Sequence, residues 1–238
     1  MFINIYIVIS MQKTMTKVTF KFDKEKDLWN NWFAVNFESK WELGKRFNNI
    51  PKLEKECKGK TFEECKKAIE DFHKKLHNSF LIEETRNAFQ ESWDEINEEF
   101  FRRLEKITEN KFPFQEVTAY ITTQSLCPYD YKEGSFMVPL FSNIPSALKK
   151  SAHEIMHLDF YKNNWKEIED KIGKEKTADL KEALTILLNL EFRDLWFVED
   201  KGKSSEEQQK LREFIKKEWS KEKNYKSLLE KCVIYLKK

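Results

Sequence analysis

Residues 142–165 read SNIPSALKKSAHEIMHLDFYKNNW, and the organisation of the chain turns on them. Pro145 suits a first-turn helical position, with Ser142 or Asn143 as the cap that satisfies the free N–H groups. Ala152, Ile155, Met156 and Phe160 supply apolar side chains to seat such a helix on a core. Inside it stands His153-Glu154-Ile155-Met156-His157. At 3.6 residues per turn, His153 and His157 fall one turn apart on one face, where two imidazoles can converge on a single ion. Glu154 projects from the adjacent edge of that face. It can take a proton from water at the ion without being a ligand. The bland alternative is two histidines on an ordinary amphipathic helix, with Glu154 solvated.

A zinc ion held this way needs a third protein ligand and an open position for water. No histidine follows His157, so the third donor is an Asp, Glu or Cys, or a histidine from the N-terminal half. Downstream, LKEALTILLNLEF places Glu182 at the head of an apolar run that reads as a buried helix. A carboxylate opening such a run is costly unless something binds it. Glu191 and Asp194 in the same segment are the runners-up. Asp159, two residues past His157, points away from the metal face.

Upstream, EVTAYITT (116–123) and SFMVPLF (135–141) are rich in β-branched and aromatic residues, with Pro128 and Gly134 between them. They read as a hairpin-like pair with a long connection. Pro139 cannot donate a ladder hydrogen bond, which predicts an edge strand there. KVTFKF (17–22) alternates polar and apolar and reads as a further strand. From Lys26 to Phe47, Leu28, Trp29, Trp32, Phe33, Phe37, Trp41 and Phe47 follow a helical spacing and read as core. Residues 61–108 open at a Thr61-x-x-Glu64 capping box and predict two helices divided near Asn78–Ser79. Further helices are expected at 175–197, at 204–220 behind a Ser204-x-x-Glu207 box, and at 224–237. The expected fold is α+β and predominantly helical, with a small antiparallel sheet. A helical N-terminal region (1–110), a possible lid or exosite, packs on a catalytic region (111–238).

This third of the chain, residues 116–196, resembles the zincin metallopeptidases, and more narrowly the gluzincin type, whose third ligand is a Glu on the following helix. The resemblance implies zinc held by His153, His157 and Glu182, and Glu154 as the general base of peptide hydrolysis. It also implies an extended peptide or protein substrate lying along the edge strand at 135–141. Phe160 and Asn163 stand where a metzincin would show Gly and a third His, which excludes that branch. The acidic residue that thermolysin-like members carry four places after the ligand Glu is Ile186 here. The partner of a zinc-bound imidazole must then come from elsewhere, with Asn189 as the candidate. For the group that steadies the oxyanion, often a His or Tyr in that family, the spare histidines are His73 and His77, and Tyr120, Tyr161 and Arg193 are equally admissible, so none is assigned. The alternatives are a non-catalytic binding or scaffold protein of this fold and a metallohydrolase of a non-peptide amide.

His73-Lys-Lys-Leu-His77 repeats the histidine spacing without the Glu and reads as a solvated helix face, a second metal site or lid residue being the alternative. Over the 238 residues, 43 Lys and Arg against 41 Asp and Glu leave a net charge of +2. That balance offers no large basic field for nucleic acid. Five glycines and five prolines are too few for a collagen-like or turn-rich all-β chain. Cys57, Cys65, Cys127 and Cys232 show no C-x-x-C pair and read as free thiols of a reducing, cytoplasmic compartment. No run reaches the ~18 apolar residues needed to span a bilayer. The apolar start from Phe2 to Ile9 has the length of a signal-peptide core, but no Lys or Arg precedes it and no small-x-small cleavage site follows. It reads as a short strand or an over-extended start, with Met11 and Met15 as later candidates, in preference to an export signal.

Overall fold

Alternation decides the first element. Val18 and Phe20 turn inward while Lys17 and Lys21 stay exposed, giving strand β1 (Lys17–Phe22). The computed structural model describes residues 15–37 and 51–237, so the apolar start and the Trp41–Phe47 part of the aromatic stretch lie outside the described residues. Helix α1 (Lys24–Asn36) begins at Asp23, whose carboxylate accepts the Lys26 N–H at 3.1 Å. A short α2 (Pro51–Cys57) leads to α3 (Phe62–His77), which opens with the expected Thr61–Glu64 capping box. The predicted division follows, where Ser79 turns its hydroxyl back onto the Leu76 carbonyl at 2.7 Å. The long α4 (Leu81–Thr108) then buries Phe89, Trp93, Phe100 and Leu104 along one stripe.

Four strands form one sheet: β1, β2 (Glu116–Thr122), β3 (Tyr129–Asp130) and β4 (Ser135–Pro139), in the order β1-β2-β4-β3. β1 runs parallel to β2, from Lys17 opposite Glu116 to Phe22 opposite Ile121. β2 is in turn parallel to β4, with Thr118 opposite Ser135 and Thr122 opposite Pro139. Only the two-residue β3 is antiparallel, pairing Tyr129 with Phe136. The expected antiparallel pair with an edge at 135–141 is therefore corrected. The chain after β2 returns through β3 before entering β4, so β2 and β4 point the same way. β4 is interior, all five of its residues are buried, and that two-sided burial is typical of parallel strands. Pro139 is tolerated because it ends the strand beyond the reach of β3, whose side of the ladder closes with the Met137 N–H on the Pro128 carbonyl at 3.0 Å.

Helix α5 (Ile144–Asn163) starts as expected, with the Asn143 side chain accepting the Ser146 N–H at 2.9 Å and Pro145 in the first turn. It is followed by α6 (Trp165–Ile172), α7 (Lys174–Leu184), α8 (Ile186–Glu191), a 3-10 turn at Arg193–Leu195, α9 (Glu206–Lys221) and α10 (Tyr225–Lys237). The helix expected over 175–197 is broken at Thr185, whose hydroxyl bonds the Glu182 carbonyl at 2.8 Å and competes with the helical ladder. α9 is capped by Ser205 rather than Ser204; its side chain accepts the Gln208 N–H at 3.3 Å. Among the described residues the fold is mostly helical, at 67%. One core joins both sides of residue 110: Phe20, Trp93, Phe100, Ile121, Val138, Ile155, Leu184 and Trp196 belong to it. A smaller cluster of Leu28, Leu53, Cys57, Cys65 and Ile69 packs α1, α2 and α3 together. All four cysteines are unpaired. No helix among the described residues is long and apolar enough to cross a membrane.

His73 and His77 are buried, not solvated. Nε2 of His77 meets Asp27 Oδ2 at 2.8 Å, and Nε2 of His73 meets Asn31 Oδ1 at 2.9 Å. Asp27 also accepts from the Thr122 and Thr123 hydroxyls, so this polar network fastens α1 and α3 to the end of β2.

Asp159 lies on the side of α5 away from His153 and His157, buried, with the Asn163 amide (2.9 Å) as its one hydrogen-bond donor among the described residues. Burial pushes its carboxyl up to about 7, the Glu105 charge adds to the rise, and the Asn163 bond opposes it. The folded state therefore binds more protons than the unfolded state between about pH 4 and pH 7, and stability falls as pH rises through that window. Asp159→Asn is expected to stabilise the protein by a few kcal/mol (order of magnitude) at pH 8 and to leave it unchanged near pH 3. Urea denaturation at the two pH values measures the difference.

Candidate metal centre

Helix α5 carries His153 and His157 on consecutive turns, and α7 brings Glu182 to face them. His157 Nε2 stands 3.4 Å from Glu182 Oε1 and His153 Nε2 stands 3.9 Å from Glu182 Oε2. One donor atom from each of the three residues lies within 4.8 Å of the others. Zinc bonds of about 2.0–2.2 Å in a tetrahedron put neighbouring donors about 3.4 Å apart, so two imidazoles and a carboxylate at these separations fit one such ion. The three expected ligands are together. Of the runners-up, Glu191 accepts from Trp219 Nε1 and Lys223, and Asp194 from Arg103, so neither joins the cluster.

The charges around the cluster favour the ligand forms of His157 and Glu182, while His153 is held toward its protonated form. Burial, helped by the nearby Lys181 ammonium, lowers the His157 pKa to about 3 and keeps its imidazole neutral. Burial works against ionising Glu182, but His157, Lys181 and His153 outweigh it and hold the carboxyl well below the usual range. Burial also opposes a charge on His153. Asp200 wins that contest and raises the pKa. Glu154, beside the pair on the same helix, lines the same cleft and is pushed up to about 7 by burial.

Asp200 is the residue that sequence reasoning missed. Its Oδ2 lies 2.8 Å from His153 Nδ1, which leaves Nε2 of that ring for the cleft. Asn189, expected to touch an imidazole, instead grips the Asp200 backbone, accepting its N–H at 2.7 Å and donating to its carbonyl at 2.8 Å. Arg212 of α9 is buried behind them, bonding the Thr185 hydroxyl at 2.8 Å and the Asp200 carbonyl. Gly202 completes the seat: its N–H bonds Asp200 Oδ1 at 3.0 Å, its φ is +61°, and a Cβ there would stand 2.6 Å from an Arg212 nitrogen. The Asp-x-Gly turn was the available signal, and it is too common to single out one loop. Asp200→Asn is expected to weaken zinc binding by about 10–100-fold with the fold retained. Competition against a chromophoric chelator would measure the loss.

The cleft holds about 690 Å³ and is bounded by Phe33 of α1 and Phe37 just past its end, by residues 125–129, and by the loop after Asp200. Tyr129 reaches into it. Its ring centroid is 5.7 Å from that of His157, and its hydroxyl accepts from Lys181 Nζ at 3.0 Å. None of the residues considered as oxyanion donors (His73, His77, Tyr120, Tyr161 and Arg193) lines this cleft. Tyr120 faces a separate cavity of about 390 Å³. Tyr161 stacks between Tyr131 and Trp165, and Arg193 pairs with Glu199 at 3.0 Å. The strand within the expected substrate edge at 135–141, β4, is enclosed between β2 and β3, so the segment bordering the cleft is the stretch 125–128 that leads into β3 at Tyr129.

Comparison with known proteins gave no matching family model, no matching curated protein and no matching solved structure.

Proposed function

We propose that this chain is a zinc-dependent metallopeptidase that hydrolyses peptide bonds. The observation that carries the reading is the convergence of His153, His157 and Glu182 at zinc-ligand spacing in an open cleft that also contains Glu154. A bound zinc ion would polarise the scissile carbonyl and lower the pKa of water toward about 7. Glu154, whose carboxyl titrates near neutrality, takes a proton from the attacking water and returns it to the departing amine. Asp200 holds His153 in orientation through Nδ1. Tyr129 accepts from Lys181 and so keeps its own hydroxyl proton to donate to the developing oxyanion. Phe33 and Phe37 wall the cleft with apolar surface that excludes water.

A second reading, a non-catalytic protein with the same fold, draws on Lys181 and Lys203. Their ammonium groups stand 3.0 and 3.7 Å from Glu182 Oε1 and compensate its charge without an ion. Metal analysis of the purified protein separates the two. One zinc per chain, with digestion of a mixed peptide library that stops on chelation, is the expected result. A protein that neither retains nor takes up zinc overturns the peptidase.

A further inference from the structure

The cleft carries a set of lysines that the proposed hydrolysis does not use. Lys149 and Lys150 stand one helical turn before His153 and Glu154 on α5, and Lys201 and Lys203 follow Asp200 on its loop. Two are engaged with the site itself: Lys149 Nζ lies 3.8 Å from Asp200 Oδ2, and Lys203 Nζ lies 3.7 Å from Glu182. Among the described residues Lys150 and Lys201 form no ion pair at contact distance; Lys150 reaches the Cys127 sulfur at 3.8 Å, and its charge also acts on Glu154. The acidic groups of the lining are already assigned. Glu182 faces the metal position, Asp200 holds His153, and Glu199 pairs with Arg193. With a dication added, four lysines and the ion face four carboxylates, so the cleft is net cationic. The apolar wall from Phe33 and Phe37 strengthens charge interactions next to it.

We propose that the cleft selects anionic peptides, with the ammonium groups of Lys150 and Lys201 receiving a substrate carboxylate. This rests on the peptidase reading for the bond that is cut. The carboxylate belongs either to an acidic side chain near that bond or to a free C-terminus.

The test uses the zinc-loaded full chain bearing Glu154→Gln, so that peptides bind without turnover. Four fluorescein-labelled probes are titrated by anisotropy: a Glu-flanked amidated peptide, an Ala peptide with a free C-terminus, its amidated form, and a Lys-flanked amidated peptide. At least one anionic probe is expected to bind about tenfold tighter than the amidated Ala peptide, the size of two solvent-screened charge contacts. The advantage should shrink between 50 mM and 500 mM salt, as expected for partly exposed charges. Whichever anionic probe leads identifies the source of the carboxylate. Adding Lys150→Glu and Lys201→Glu should reverse the order in favour of the Lys-flanked probe. Equal binding of all four probes, binding of none, or an order untouched by charge reversal overturns the inference. Hydrolysis is scored separately with wild-type protein. An anionic preference without cleavage of any peptide leaves this inference standing and removes the peptidase, whereas cleavage with equal affinities does the opposite.

Discussion

Glu154→Gln should lower peptide hydrolysis by about 10³-fold while the protein still binds one zinc per chain. The two halves of that expectation have separate causes. Glu154 is not among the three residues whose donor atoms converge, so removing its charge leaves the ligand set intact. Its carboxyl, raised to about 7 by burial, is poised to accept and release a proton near neutral pH, and an amide has no such proton to exchange. The substitution is nearly isosteric, so it makes no cavity beside His153 and His157. Steady-state kinetics on a cleaved library peptide, paired with metal analysis, checks both halves. Unchanged kcat would show that Glu154 is not the base. Lost zinc would show that the ion sits elsewhere on the face of α5.

The second large effect belongs to His157. Its Nε2 is the imidazole donor nearer to Glu182, at 3.4 Å, and burial keeps the ring neutral and ready to bind a cation. His157→Ala is expected to cut zinc affinity by at least about 10³-fold, or about 4 kcal/mol, a substantial share of the 10–16 kcal/mol typical of protein-bound zinc. The metal-free fold should survive. His157 Nδ1 is buried with no hydrogen-bond partner among the described residues, so truncation breaks no network at that nitrogen and leaves mainly a cavity. Chelator competition gives the affinity, and thermal denaturation of both proteins in EDTA gives the fold. A variant that retains wild-type affinity would overturn the assignment of His157 as a ligand.

What the chain disclosed before its fold was in view follows from the range of each interaction. The H-E-x-x-H face, the Asn143 and Thr61 caps and the division at Ser79 depend on residues within a turn of one another, so local spacing sufficed. Glu182 was legible because a carboxylate opening an apolar run demands compensation. Asp200 was not, because its partners His153, Asn189 and Arg212 lie on three different helices. The same limit hid the burial of His73 and His77, whose partners Asp27 and Asn31 sit on α1. Strand direction failed for a related reason. Pro139 by itself predicts an edge, but the unbroken apolar run around it signals a strand covered on both faces.

The clamp of Arg212 on Asp200 and Thr185 has a consequence for biosynthesis. His153, His157 and Glu182 are all translated before the arginine that seats the brace behind them. A chain still emerging from the ribosome can possess all three converging donors and yet lack the clasp behind the aspartate that meets the first imidazole. Assembly of the cluster is thereby tied to docking of α9, and a truncated product ending short of it would leave Asp200 without the Arg212 contact.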